Sequence, residues 1–124
     1  MKRIIIADDS TTARMFIKRC LQIIGLGEVE IIEAEHGKEA LAAAKAQEVD
    51  LLLTDLNMPV MDGETLIKWV KASPKLGDLP VIVITSAGNP AKEAQLLELG
   101  AHRVLNKPVS PPMMMDALAD FLDE

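Results

Sequence analysis

Five polar residues stand where apolar runs stop. Asp8 and Asp9 follow Ile4-Ile5-Ile6-Ala7, and Asp55 follows Leu51-Leu52-Leu53-Thr54. Thr85 follows Val81-Ile82-Val83-Ile84, and Lys107 follows Val104-Leu105-Asn106. Three carboxylates gathered in one place repel one another. Two things relieve that repulsion here: a hard divalent cation and the Lys107 ammonium. Oxygen-only ligands with room for water suit Mg²⁺. A carboxylate beside a metal, a lysine and a hydroxyl is equipped to accept a phosphoryl group, because aspartyl phosphates are a known covalent mode. The cation and Lys107 would neutralise the equatorial oxygens of the transferring group. Each residue taken alone has a plainer use. Asp8-Asp9 can cap a helix, Asp55 can be a solvated turn carboxylate, Thr85 can end a strand and Lys107 can be an edge charge.

The elements decide whether these residues meet. The runs Ile4–Ala7, Leu51–Leu53 and Val81–Ile84 do not alternate with polar residues, so each reads as a strand buried on both faces. Val29–Ala34 and His102–Asn106 are mixed in character and read as edge strands. A helix follows each strand. The first is capped by Ser10, Thr11 or Thr12, with Ala13, Phe16, Ile17, Cys20 and Ile24 on its core face and Arg14, Lys18 and Gln22 on another; Gly25 and Gly27 stop it. The second, Gly37–Gln47, turns Ala40, Leu41 and Ala44 inward, with His36 a surface or capping residue just before it. The third buries Leu66, Ile67 and Val70, leaves Trp69 half-buried on the flank and ends at Ser73-Pro74 and Gly77. The fourth opens on Asn89-Pro90 and ends at Gly100. The last opens on Ser110-Pro111 and buries Met114, Ala117, Leu118 and Phe121. Met113 and Met115 flank Met114, and an exposed methionine there would suit an adaptable partner surface.

Strand and helix alternate five times, which predicts an α/β fold with a parallel sheet covered by helices on both faces. The mixed strands belong at the edges. That gives the flavodoxin-like (βα)5 doubly wound sheet with strand order 2-1-3-4-5. All five strand ends then lie on one edge of the sheet, where ligands bind in open α/β folds.

Composition sets the outer bounds. A chain of 124 residues with 49% hydrophobic and 26% charged residues suits one soluble domain. A formal charge of −6 argues against nucleic acid. Cys20 is the single cysteine, so no internal disulfide forms and a reducing compartment fits. It reads as a small core hydrophobe. Ile4–Ala7 is too short for a signal-peptide core, and no stretch is long enough to span a membrane.

The residues Asp8-Asp9, Leu53-Thr54-Asp55-Leu56-Asn57-Met58-Pro59-Val60-Met61-Asp62-Gly63, Thr85-Ser86-Ala87, Gly100-Ala101 and Lys107-Pro108 together resemble the receiver domains of two-component response regulators, most closely the single-domain CheY type. The resemblance covers the whole chain, so residues 1–124 are expected to form one receiver domain with no output domain. It implies that Asp55 accepts a phosphoryl group from a sensor histidine kinase or a histidine phosphotransfer protein. It further implies that Asp9, Asp55 and the Asn57 backbone carbonyl bind Mg²⁺ directly, that Asp8 acts through water, and that Thr85 and Lys107 contact the phosphoryl oxygens. The Lys107-Pro108 peptide is expected to be cis, which proline makes accessible. The expected protein is a cytoplasmic, monomeric phosphoacceptor rather than a turnover enzyme. It would transfer the group to itself, lose it slowly and signal to a downstream protein, as a chemotaxis-like regulator or a phosphate sink.

One position departs from the family pattern. Val104 stands where many receiver domains carry Tyr or Phe, and the chain has no tyrosine. The usual aromatic readout of phosphorylation is therefore in question. Two rival readings share parts of the pattern. A flavodoxin-like flavin binder wants phosphate donors after the first strand, where Asp8-Asp9 offer acceptors, and 2% aromatic content leaves little to stack on a flavin. A haloacid-dehalogenase-type phosphatase would place a second aspartate two residues after the nucleophile, where Asn57 stands. An interaction module with a dead site is disfavoured by the intact set of five residues.

Overall fold

The computed structural model describes residues 1–122. Five strands, β1 (Arg3–Ala7), β2 (Glu30–Ala34), β3 (Leu51–Thr54), β4 (Val81–Thr85) and β5 (Arg103–Asn106), alternate with five helices. These are α1 (Thr11–Ile23), α2 (Gly37–Ala46), α3 (Gly63–Ala72), α4 (Pro90–Leu99) and α5 (Pro111–Leu122). The sheet order is β2-β1-β3-β4-β5, and every pair is parallel. The expected order is the observed one, with the mixed strands β2 and β5 at the edges.

Successive residues of a strand face opposite sides of the sheet, and the core divides accordingly. Ile5, Leu52, Val81 and Val83 pack with the inner faces of α2, α3 and α4. Ile4, Ile6, Leu51, Leu53, Ile82 and Ile84 pack with α1 and α5. A central strand covered by helices on both faces has no side left for polar residues, which is why these three runs are unbroken.

The helix starts rest on local chemistry. Side chains of Ser10, His36, Asp62 and Asn89 accept hydrogen bonds from backbone N–H groups three residues on. Pro90 occupies the first turn of α4, where its missing N–H costs nothing. Gly100 ends α4 at φ +118°, a left-handed conformation that suits glycine. Cys20 is buried and free, and burial pushes its thiol pKa up. It is a core residue, not a nucleophile.

Trp69 is 55% exposed, about half-buried as expected, beside Leu66, Ile67 and Val70, which face the sheet. Two side chains differ from their sequence-predicted places. Phe16, expected in the core, is exposed, and Leu21 takes the inward position with Ile17 and Cys20. Arg14, expected on a face other than the core face, is only 7% exposed. Among the last-helix residues, Met114, Ala117 and Leu118 are buried, Phe121 packs partly against them and Met115 is exposed.

Candidate functional site

β1 and β3 are neighbours, so their C-terminal ends deliver Asp8, Asp9 and Asp55 to one place. The main chain fixes two of them. The Asp8 N–H donates to the Ala34 carbonyl at 3.0 Å, and the Asp55 N–H donates to the Ala7 carbonyl at 2.9 Å. Asp8 is 1% exposed. Its Oδ1 accepts from the Ser10 N–H at 2.9 Å, and its Oδ2 accepts from Lys107 Nζ at 2.8 Å. Asp55 Oδ1 accepts from the Leu56 N–H at 2.7 Å, and Oδ2 accepts from Lys107 Nζ at 3.1 Å. Asp9 is exposed. One carboxylate oxygen from each of the three lies within 4.8 Å of the others.

Lys107 arrives from the end of β5, two strands away from β3. Partial burial pushes its pKa down, but hydrogen bonds to Asp8 and Asp55 more than offset this and hold it above the ordinary lysine value. The Lys107 N–H donates to the Thr85 carbonyl at 2.9 Å, and the Lys107-Pro108 peptide is cis. Thr85 is fully buried at the end of β4, and its Oγ1 accepts from the Ala87 N–H at 3.1 Å. Its hydroxyl proton thus points away from that bond. Asn57 is exposed in the loop two residues after Asp55.

With the carboxylates ionised, three negative charges face one ammonium. The formal charge left over is −2, which one divalent cation cancels. The donors are all oxygen, as a hard cation prefers, with no His or Cys to favour zinc. The exposed Asp9 leaves a solvent side where such an ion would keep waters. The residues present therefore fit Mg²⁺.

The loop after β3 is shaped by contacts rather than by chemistry. The Gly63 N–H donates to the Leu56 carbonyl at 2.8 Å, and the Gly37 N–H donates to the Met61 carbonyl at 2.9 Å. Val60 takes a φ of +67°, rare for a β-branched residue, as the Met61 N–H closes a three-residue turn onto the Pro59 carbonyl at 2.7 Å.

One neighbour of the site was missed on the sequence. The Arg14 guanidinium donates to the Asp8 carbonyl from Nη1 and to Glu33 Oε1 from Nε at 2.8 Å. The hydrogen bond from Arg14, with a lesser one from Lys18, holds the Glu33 carboxyl below the usual range despite some burial. The available signal was an arginine four residues past the Ser10 cap, one turn from the acidic pair, and a second glutamate late in an edge strand.

Comparison with known proteins follows the same outline. The family model for the response regulator receiver domain matches residues 4–119. The chain is 38% identical over 121 residues to a chemotaxis protein CheY homolog of Campylobacter jejuni, covering 97% of this chain and 92% of the relative. It is 36% identical over 117 residues to chemotaxis protein CheY1 of Helicobacter pylori, covering 94% and 93%. The solved structure of CheY4 of Vibrio cholerae superposes with a TM-score of 0.85 at 31% identity, covering 98% of this chain and 99% of that one. A match this long, on a sheet of this order, leaves one conclusion: the chain belongs to the response regulator receiver domain family and is CheY-like.

Proposed function

We propose that Asp55 is the phosphoacceptor of this receiver domain, and that a sensor histidine kinase or a histidine phosphotransfer protein supplies the group. The observation that carries the reading is Lys107 Nζ, bound at once to Asp8 and to Asp55. It ties the end of β5 to the ends of β1 and β3 and supplies positive charge where an oxyanion develops.

In the transfer, an Asp55 carboxylate oxygen forms a bond to phosphorus. The bond from phosphorus to the donor imidazole nitrogen breaks, and its electron pair stays on that nitrogen. The Leu56 N–H and Lys107 hold Asp55 in place for the attack. Lys107 keeps Asp8 as a partner while its other donors serve a phosphoryl oxygen. Thr85 uses its hydroxyl proton on another. Asp9, Asp55 and the Asn57 carbonyl would hold Mg²⁺ directly, and Asp8 would act through water. Mg²⁺, when bound, supplies charge that neutralises the transferring group. The protein thus catalyses its own phosphorylation, and slow hydrolysis of the acyl phosphate resets it.

The donor has a place to approach. Ser10, Ala13, Phe16, Lys107 and Pro108 belong to the lining of a largely apolar groove of about 430 Å³ that reaches Lys107. Residues 1–124 act as one receiver unit, a cytoplasmic monomer whose phosphorylation changes its contacts with a downstream protein. The named relatives favour a chemotaxis-like regulator over a phosphate sink. No helix among the described residues is long and apolar enough to cross a membrane.

Incubation with a small phosphodonor, followed by intact mass, tests the reading. One phosphoryl group is expected in the presence of Mg²⁺ and much less with a chelator. An unchanged yield in Asp55→Asn overturns it.

A further inference from the structure

We infer that Arg14 is a positioning residue for the acidic site: held from outside by Glu33, it fixes the turn that carries Asp8 and Asp9 and so sets their affinity for a divalent cation. The inference rests on the proposed cation site.

Arg14 is the charged side chain of α1 that the fold buries. Its planar fork reaches three acceptors on three segments. Nη1 donates to the Asp8 carbonyl, Nη2 to Thr11 Oγ1 at 3.3 Å and Nε to Glu33 Oε1 at 2.8 Å. Glu33 Oε2 also accepts from Lys18 at 3.3 Å, so its carboxylate is gripped on both oxygens. The chain at Asp8 is thus pinned on several sides: its N–H by Ala34 of β2, its carbonyl by Arg14 and its carboxylate by Ser10 and Lys107. Asp9, the exposed ligand, hangs on the peptide whose carbonyl Arg14 holds. A ligand on a loose turn binds more weakly than one held in place, because binding must then order it.

Charge and position predict opposite outcomes. A positive charge near three carboxylates repels a cation, so removing Arg14 tightens Mg²⁺ binding if charge dominates. It weakens binding if position dominates. Lysine keeps the charge but presents no fork that meets three acceptors at once.

The test is calorimetric titration of Mg²⁺ into unphosphorylated wild type, Arg14→Lys, Arg14→Met and Glu33→Ala, with thermal melts alongside. Arg14→Lys and Arg14→Met are expected to bind about tenfold more weakly, as when a group that orients a metal ligand is lost. Glu33 is partly exposed, so Glu33→Ala folds even if the arginine variants do not. It is expected to weaken binding about threefold, and the deficit persists at about 0.5 M salt, where a through-space charge effect is screened. Unchanged affinity in Arg14→Lys, tighter binding in Arg14→Met, or a Glu33→Ala deficit that salt removes overturns the inference while leaving the cation site intact. A wild type that takes up no Mg²⁺ overturns the cation site itself, and the inference with it.

Discussion

Gly63 packs so closely on Asp55 that a Cβ there would lie 2.1 Å from the Asp55 carbonyl oxygen. The first residue of α3 therefore rests on the back of the aspartate, and the Gly63 N–H bond to Leu56 locks the loop shut. The obstacle is backbone, which cannot rotate away. Gly63→Ala is expected to destabilise the fold by about 3 kcal/mol, the upper end for overpacking, and to slow phosphorylation. Urea unfolding measures the first. A change under about 0.5 kcal/mol, as at an ordinary surface site, contradicts the contact.

Val60 is the reverse case. It is 74% exposed and holds φ at +67°. No packing is lost when its side chain is removed, and the strain disappears. Val60→Gly is expected to raise stability by about 1 kcal/mol after the extra freedom of the unfolded chain is subtracted. A lower urea midpoint for Val60→Gly contradicts the reading.

At the opposite edge of the sheet, Asp50 Oδ2 accepts from the Lys2 N–H at 2.6 Å and the Arg3 N–H at 3.0 Å. Burial raises its pKa, but these backbone donors outweigh it and the net shift is downward. A carboxyl lowered by folding contributes stability that is full above its unfolded pKa, about 3.9, and is lost as pH falls through the folded value. Asp50→Asn is therefore less stable than wild type at neutral pH, and the two converge as the solution is acidified below about pH 4. Urea titrations at several pH values show this. A gap that stays constant into acid contradicts it.

Thr85 should carry the signal away from the site. The valine at position 104 pairs with Val83 in the sheet, packs partly against the core and has no ring to swing. On the proposed reading the Thr85 hydroxyl would sense a phosphoryl oxygen, and it sits at the root of the loop before α4. Thr85→Ala should still be phosphorylated but respond weakly. Amide NMR with beryllofluoride is expected to move residues 86–99 and 104–115 in wild type and to move them much less in the variant. Shifts confined to the neighbourhood of Asp55 contradict this route.

The legible parts of the fold were those where burial leaves one choice. Leu51–Leu53 and Val81–Ile84 have helices on both sides, so every residue is apolar and the strand announces itself. The polar residue ending each run then marks the functional edge, and the parallel topology gathers the marks. Side chains on helix flanks were less legible. Phe16 and Leu21 are both apolar, and which one turns inward depends on how α1 sits against the sheet and α5. Arg14 was harder to read for a different reason. An arginine is buried only when its partners are supplied, and Glu33 is 19 residues away on another element.

A phosphoryl group on Asp55 would be an acyl phosphate. Borohydride reduces an acyl phosphate to an alcohol and leaves an ordinary carboxylate alone, so it marks the modified residue chemically. The protein is phosphorylated with a small phosphodonor and Mg²⁺, reduced, digested and mapped by mass spectrometry. Homoserine is expected at position 55 and nowhere else, and none in a sample never exposed to phosphodonor. Reduction at Asp8 or Asp9, or a phosphorylated protein in which Asp55 is untouched, contradicts Asp55 as the phosphoacceptor.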